Sequence, residues 1–193
     1  MSVGGVILFP GAGGNSGHPL FIELERRTAI PVARVDFAYR IKAGTKRRPP
    51  DRMPKLLDDV HAAVAKYSHE WDVEPESLVL GGRSMGGRVC SIAAAEGLDI
   101  AGLLLFSYPL HPPKKPEKLR VDHFGNITCP VLLVQGQKDP FGTPEEFDRH
   151  LPAISGPVTE CWVAGNHDPR ASLHAEMLEA TDRWLAEVSD QRD

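Results

Sequence analysis

Cysteine is scarce in this chain, with three residues in 193: Cys90, Cys129 and Cys161. They are odd in number, far apart and set mostly among apolar neighbours, with no C-x-x-C pair, which excludes a disulfide framework and a zinc knuckle. Buried thiols of this kind fit a reducing compartment, so a cytoplasmic location is expected, the nucleus included. Long apolar runs are missing too. Nothing approaches eighteen continuous apolar residues, which excludes a helical membrane span. The apolar run 3–9 has neither a basic flank nor an A-x-A site, so no signal peptide is expected. Neither charge dominates: 22 Lys and Arg against 26 Asp and Glu leave a net charge of -4. That balance is wrong for a protein whose main work is covering a polyphosphate backbone, so no nucleic-acid partner is expected. The eight histidines contain no H-E-x-x-H and no short ligand cluster, so neither a metal nor a cofactor is expected. Internal repeats and low-complexity blocks are absent as well.

What is present is ordinary globular material. Hydrophobic residues make up 41% of the chain, and 18 glycines bring the total to about half. The length suits one domain, 1–193, which would bury roughly 70% of its unfolded surface without a disulfide. Charge is unevenly spread, because residues 1–55 hold ten Lys or Arg and four acids while 56–193 hold twelve and twenty-two.

Short β-branched or aliphatic runs recur at 6–9, 32–37, 77–80, 101–106, 131–134 and 158–163, most of them flanked by Gly, Pro or Asp. Segments with helical spacing lie between most of these runs, at 18–28, 52–71, 85–96 and 144–151, and a last one follows at 172–188. Thr143, Pro144 and Glu146 supply a cap, a proline at the first helical position and an acidic first turn. Alternation of this kind with continuous apolar strands predicts a doubly wound α/β fold with a mainly parallel sheet of about six strands. The stretches 42–52 and 111–126, rich in Pro and charge, read as irregular loops.

The strongest chemical signal is Gly82-Arg83-Ser84-Met85-Gly86, a G-x-S-x-G between a strand and a helix. A tight strand-to-helix turn places the serine in a strained conformation and needs small residues on either side. It would leave the Ser84 hydroxyl exposed and the Met85 backbone NH at a helix N-terminus, free to bind an anion. A serine needs a base and an acid to act as a nucleophile. Asp139 follows the strand at 131–134 and His167 follows the last strand, both in loops at strand ends, where an open parallel sheet gathers its functional groups. Asp168 and Asp122 are the competing acids: Asp168 adjoins the histidine and would point elsewhere, and Asp122 lies where no strand positions it. Pro10-Gly11-Ala12-Gly13-Gly14-Asn15 follows the first strand. G-x-G-x-x-G fails at Ser16, and the P-loop pattern lacks its lysine. Read beside Ser84, this turn is the second half of an oxyanion hole, with the Ala12 NH as donor and Gly11 in reserve; a plain glycine turn is the competing reading.

This constellation, in the order Ser, Asp, His, resembles the α/β-hydrolase superfamily, close to its dienelactone-hydrolase-like group. Over nearly the whole chain it also resembles a narrower family. That family includes a testis-expressed hydrolase-like protein and a subunit of the nonspecific-lethal histone acetyltransferase complex. The narrower resemblance rests on Gly81-Gly82-Arg83-Ser84-Met85-Gly86, Ser107-Tyr108-Pro109-Leu110-His111-Pro112-Pro113-Lys114, and Val134-Gln135-Gly136-Gln137-Lys138-Asp139-Pro140-Phe141-Gly142. It implies Ser84 as nucleophile, Asp139 as acid and His167 as base. Two positions depart from relatives: Pro10 stands where many superfamily members have a histidine, and Ser84 replaces the cysteine nucleophile of dienelactone hydrolases proper. No inserted segment is long enough for a cap domain, so a shallow, open site is expected.

The expectation for function is a serine hydrolase acting on an ester or thioester of a small acyl substrate, without a cofactor. The alternative is an α/β-hydrolase scaffold that binds protein partners and has little turnover. Lys46, Arg47, Arg48, Arg52 and Lys55 form one basic group, and Lys114, Lys115, Lys118 and Arg120 form another. Solvated loop charge is the ordinary reading of both. Were the two loops to meet beside the site, they would favour an anionic substrate or an acidic partner.

Overall fold

Gly5–Phe9 (β1) reads Gly-Val-Ile-Leu-Phe, with no polar position to turn toward water, and all five residues are buried. A strand of this kind needs cover on both faces. The computed structural model describes residues 2–43, 46 and 48–190 and shows how that cover is supplied. After β1 come helix α1 (Pro19–Arg27), strand β2 (Val32–Arg34), helices α2 (Ala38–Ala43) and α3 (Met53–Trp71), strand β3 (Leu78–Arg83), helix α4 (Met85–Ala95) and strand β4 (Gly102–Phe106). Strand β5 (Val131–Gly136), helix α5 (Pro144–His150), strand β6 (Val158–Val163) and helix α6 (His174–Asp190) complete the order. The strands form one six-stranded sheet in the order β2-β1-β3-β4-β5-β6, and every pairing is parallel. This is an alpha/beta hydrolase fold, with no cap domain among the described residues.

Alternate residues of each strand feed opposite core layers. Ile7, Phe9, Leu103, Leu105, Val131 and Leu133 pack with Leu56 and Val60 of α3 and Val89 of α4. Val6, Leu8, Leu104, Phe106, Leu132 and Val134 pack on the other face with Leu20 and Leu24 of α1 and with Met177, Leu178 and Trp184 of α6. Each such fully buried Leu, Ile or Phe contributes roughly 1.5–3 kcal/mol relative to exposure. The amphipathic stripes read in the sequence are therefore the faces that cover the sheet.

Some boundaries differ from the sequence reading. The expected strand 32–37 stops at Arg34, because Asp36 turns away to accept bonds from the Ser16 backbone NH (2.6 Å) and hydroxyl (2.9 Å). Phe37 still reaches the core, where its ring lies 4.9 Å from that of Phe9. The strand expected at 77–80 runs on to Arg83, since Gly81, Gly82 and Arg83 stay paired with Leu104, Leu105 and Phe106. Part of the irregular stretch is helical: Asp59 accepts the Ala38 NH at 2.9 Å and caps α2. Gly44, Thr45 and Arg47 of that stretch lie outside the described residues. Strand β6 is a sheet edge and leaves Thr159 and Glu160 exposed, where continuous burial is expected of an inner strand. The cap predicted for α5 is a full capping box between Thr143 and Glu146. Among the described residues, no helix is long and apolar enough to cross a membrane.

Strand β1 connects outward to β2 on one side, while β3 to β6 follow one another on the other. The strand order therefore reverses between β1 and β3, and the loops leaving their C-terminal ends diverge to open a crevice. The turn at Ala12 leaves one of these strands and Ser84 leaves the other.

Candidate active site

Ser84 sits between the last residue of β3 and the first of α4 with φ 52° and ψ -116°, a backbone conformation that L residues rarely hold. The surroundings enforce it. Its NH donates to the Phe106 carbonyl at 2.9 Å, and its own carbonyl accepts the Arg88 NH at 3.1 Å. Strand β1 passes so close that a Cβ at Gly82 or Gly86 would stand 2.2 or 2.1 Å from the Phe9 carbonyl oxygen, which leaves glycine alone at both positions. Although Ser84 occupies the N-cap of α4, its hydroxyl makes no capping bond. It lies instead 2.9 Å from His167 Nε2.

His167 Nδ1 is 2.8 Å from Asp139 Oδ2. A carboxylate only accepts, so the shared proton belongs to Nδ1, which leaves Nε2 to accept from the Ser84 hydroxyl. Asp139 is 1% exposed and bonded at both oxygens: Gln135 Nε2 donates to Oδ2 at 2.7 Å, and the Phe141 NH donates to Oδ1 at 2.8 Å. The Phe141 ring stacks on the imidazole with centroids 4.0 Å apart, and Arg83 Nη2 donates to the His167 carbonyl at 2.8 Å. Ring plane and loop are thus both held. Asp168 takes no part. It pairs with Arg83 Nη2 at 3.0 Å and His18 Nε2 at 3.4 Å, and its side chain is 68% exposed. Asp122 is exposed in the loop before Phe124.

The turn after β1 lies against this group. A Cβ at Gly11 would be 3.4 Å from Ser84 Cβ, and Ala12, Ser84 and Met85 line one cleft. Tyr39, buried in the core, donates its hydroxyl to the Ala12 carbonyl at 2.9 Å, and the Gly14 NH closes the turn on the Gly11 carbonyl at 3.0 Å. At the start of α4, the first backbone NH groups have no acceptor within the helix. A hydroxyl, an imidazole and a buried carboxylate in series, beside free backbone donors, form an arrangement that can activate an oxygen nucleophile and hold a developing oxyanion.

The cleft has a volume of about 550 Å³. Met53 and Leu56 of α3, with Met85, Pro109 and Phe141, supply apolar wall; Asp51, Arg88 and Arg120 are its charged members. Of the two basic groups in the sequence, only Arg120 lines it among the described residues. Lys46, Arg48, Lys114, Lys115 and Lys118 are exposed and do not line the cleft, and Arg47 lies outside the described residues. The sequence by itself assigns no role to Arg88, Gln135, Phe141 or Tyr39. Arg88 follows Ser84 by four residues, and its backbone NH bonds back to the Ser84 carbonyl in the first turn of α4; the others act through contacts that local pattern does not carry.

The family model described as an alpha/beta hydrolase domain matches residues 3–191. Among solved structures, Est1E from Butyrivibrio proteoclasticus superposes with a TM-score of 0.75 at 16% identity, covering 97% of this chain and 88% of that one. A dienelactone hydrolase from Anabaena variabilis gives 0.74 at 16% identity, with 96% and 87% covered. The type II thioesterase BorB of the borrelidin biosynthetic cluster gives 0.68 at 18% identity, with 94% and 92% covered. At these identities the likeness is one of fold.

Proposed function

The chain belongs to the alpha/beta hydrolase domain family, and on that premise we propose that it cleaves an ester or thioester through an acyl group carried on Ser84. The observation that carries this reading is the unbroken series Ser84 Oγ, His167, Asp139, with contacts of 2.9 and 2.8 Å, at three strand ends of one sheet. Esterases and a thioesterase among the structures of like fold support the same reaction class.

In this reading Ser84 Oγ attacks the carbonyl carbon while its proton passes to His167 Nε2. Asp139 keeps the imidazole in the productive tautomer and stabilises the imidazolium. The NH groups of Met85 and Ala12, with Gly11 as the alternative donor, receive the oxyanion. The imidazolium then gives its proton to the departing alcohol or thiol, which leaves the acyl group esterified to Ser84. His167 next takes a proton from water, the resulting hydroxide attacks the acyl carbon, and the carboxylic acid is released as Ser84 Oγ regains a proton. The reading takes 1–193 as one hydrolase domain acting on a small-molecule acyl substrate.

Purified protein should be labelled by a fluorophosphonate and should hydrolyse short p-nitrophenyl esters. Ser84→Ala should abolish both while circular dichroism and thermal unfolding stay those of the parent. Hydrolysis that survives the change ends the assignment of Ser84. A well-folded parent that takes no label and turns over no ester would favour the scaffold alternative, which has no need of a hydroxyl held against an imidazole.

A further inference from the structure

We propose that the cleft beside Ser84 holds an anion-binding subsite formed by Arg88 and Arg120, and that the substrate is an ester or thioester bearing a carboxylate or similar anion. The proposal rests on the hydrolase reading for its substrate and on the cleft alone for its site.

Both guanidinium side chains line the cleft that contains Ser84. Neither forms an ion pair with an acid among the described residues, whereas two of the other three half-buried arginines, Arg34 and Arg83, do; the third, Arg40, bonds to the Lys46 carbonyl away from the cleft. Arg88 Nε is shut off from solvent and has no hydrogen-bond partner among the described residues. Arg83 Nε is in the same state, so the anion is bound not there but by the donors of the two guanidinium groups that the protein leaves unspent, each group carrying five. Arg120 is held in place from its own main chain: Tyr108 donates its hydroxyl to the Arg120 carbonyl at 2.7 Å, and Arg120 Nη1 reaches the Pro109 carbonyl at 3.4 Å. Asp51 lines the same cleft, yet it pairs with neither arginine, and its charge bears on Tyr39 at the Ala12 turn.

The positive field is felt by the neighbours. Burial, and then the charge of Arg88, lowers the proton affinity of Arg120. The same two causes, in the same order, push His123 down to about 4, so that this neighbour adds no positive charge of its own at neutral pH. Two cations in a half-enclosed, low-dielectric cleft repel each other, and an anion between them relieves that repulsion while accepting paired bonds. The Arg88 backbone NH donates to the Ser84 carbonyl at 3.1 Å and both residues line the one cleft, so the anion would sit a few bonds from the reacting carbonyl.

The test compares acid and amide isosteres. The mono-p-nitrophenyl ester of adipic acid against p-nitrophenyl adipamate places the charge on the acyl side. 4-Carboxyphenyl hexanoate against 4-carbamoylphenyl hexanoate places it on the leaving side. At low salt, kcat/KM should favour the acid of at least one pair by about tenfold, the worth of one charge-assisted hydrogen bond. Added salt should shrink the ratio. Arg88→Gln and Arg120→Gln should each bring it toward one, and Arg88→Lys should keep part of it. Calorimetric titration of Ser84→Ala protein with monomethyl adipate and with methyl adipamate reads the subsite without turnover, and the acid should bind about tenfold more tightly. Equal rates within both pairs, with equal binding, overturn the subsite and leave the hydrolase reading standing. Tighter binding of the acid that depends on Arg88, with none of the four esters hydrolysed, upholds the subsite and overturns the hydrolase reading.

Discussion

Ser84 and Asp139 are in opposite situations, one strained and half-open, the other relaxed and sealed. The strain at Ser84, with φ 52°, frees its hydroxyl from helix capping, and the burial of Asp139 keeps water from its carboxylate. Asp139→Asn would replace an acceptor by an amide that can donate, which turns the imidazole to the wrong tautomer. Turnover of a p-nitrophenyl ester should fall by about four orders of magnitude, as the comparable change does in a serine protease. Asp168→Asn should change it much less, because that carboxylate faces Arg83 and His18; the reverse result would reassign the acid. Gln135 gives Asp139 its buried side-chain donor at 2.7 Å. Gln135→Leu should lower kcat by roughly tenfold or more, at about 1.5–3 kcal/mol for a bond to a charged group, and a kcat unmoved by the change would leave Gln135 a packing role only.

At the scale of elements, the junction of β3 with α4 depends on how closely β1 runs beneath it. Gly86→Ala would drive a methyl into the Phe9 carbonyl, where a Cβ has only 2.1 Å. Esterase activity should be lost and the urea midpoint lowered. Gly13→Ala, in the neighbouring turn with nothing within 4 Å, should leave the midpoint nearly unchanged. A second elemental contact joins α4 to the loop before Phe124, where His123 Nε2 meets Ser91 Oγ at 2.8 Å. Burial and Arg88 hold His123 at about 4, below the ordinary 6.5 of the unfolded chain. Between those values the unfolded state binds the extra proton, so stability is complete above 6.5 and declines as pH falls toward 4. Thermal unfolding measured across that range should show the decline, and His123→Asn should flatten it; an identical slope in the variant would place the acid sensitivity elsewhere.

For the molecule as a whole, the two core layers are separate supports of one sheet, and the Ser84 cleft lies on the side of α3 and α4. Trp184 of α6, 2% exposed, packs in the opposite layer with its ring over Gly102. Trp184→Ala should cost about 3–5 kcal/mol of unfolding free energy in urea titrations. Fluorophosphonate labelling per folded molecule should be retained, since the sheet stands between the cavity and the site. Loss of labelling in protein that remains folded would mean that the layers are coupled more tightly than their packing implies.

Periodicity and punctuation are local properties, decided by residues a few positions apart, and they made a large part of this protein legible in the sequence. The six runs of apolar residues, the helical stripes between them, the cap at Thr143 and the glycines around Ser84 each act through their own neighbours in the chain. The order of Ser84, Asp139 and His167 at strand ends was readable for the same reason. Tertiary structure decided what depends on strand order and register. It brought the Ala12 turn against Ser84 because β1 and β3 are adjacent, and it turned Asp168 toward Arg83 while Asp139 took the imidazole. It also set Arg120, from a loop that reads as solvated charge, beside Arg88 in the cleft. No local pattern encodes these meetings, because each joins segments whose separation in the chain says nothing about where the parallel sheet will place their loops.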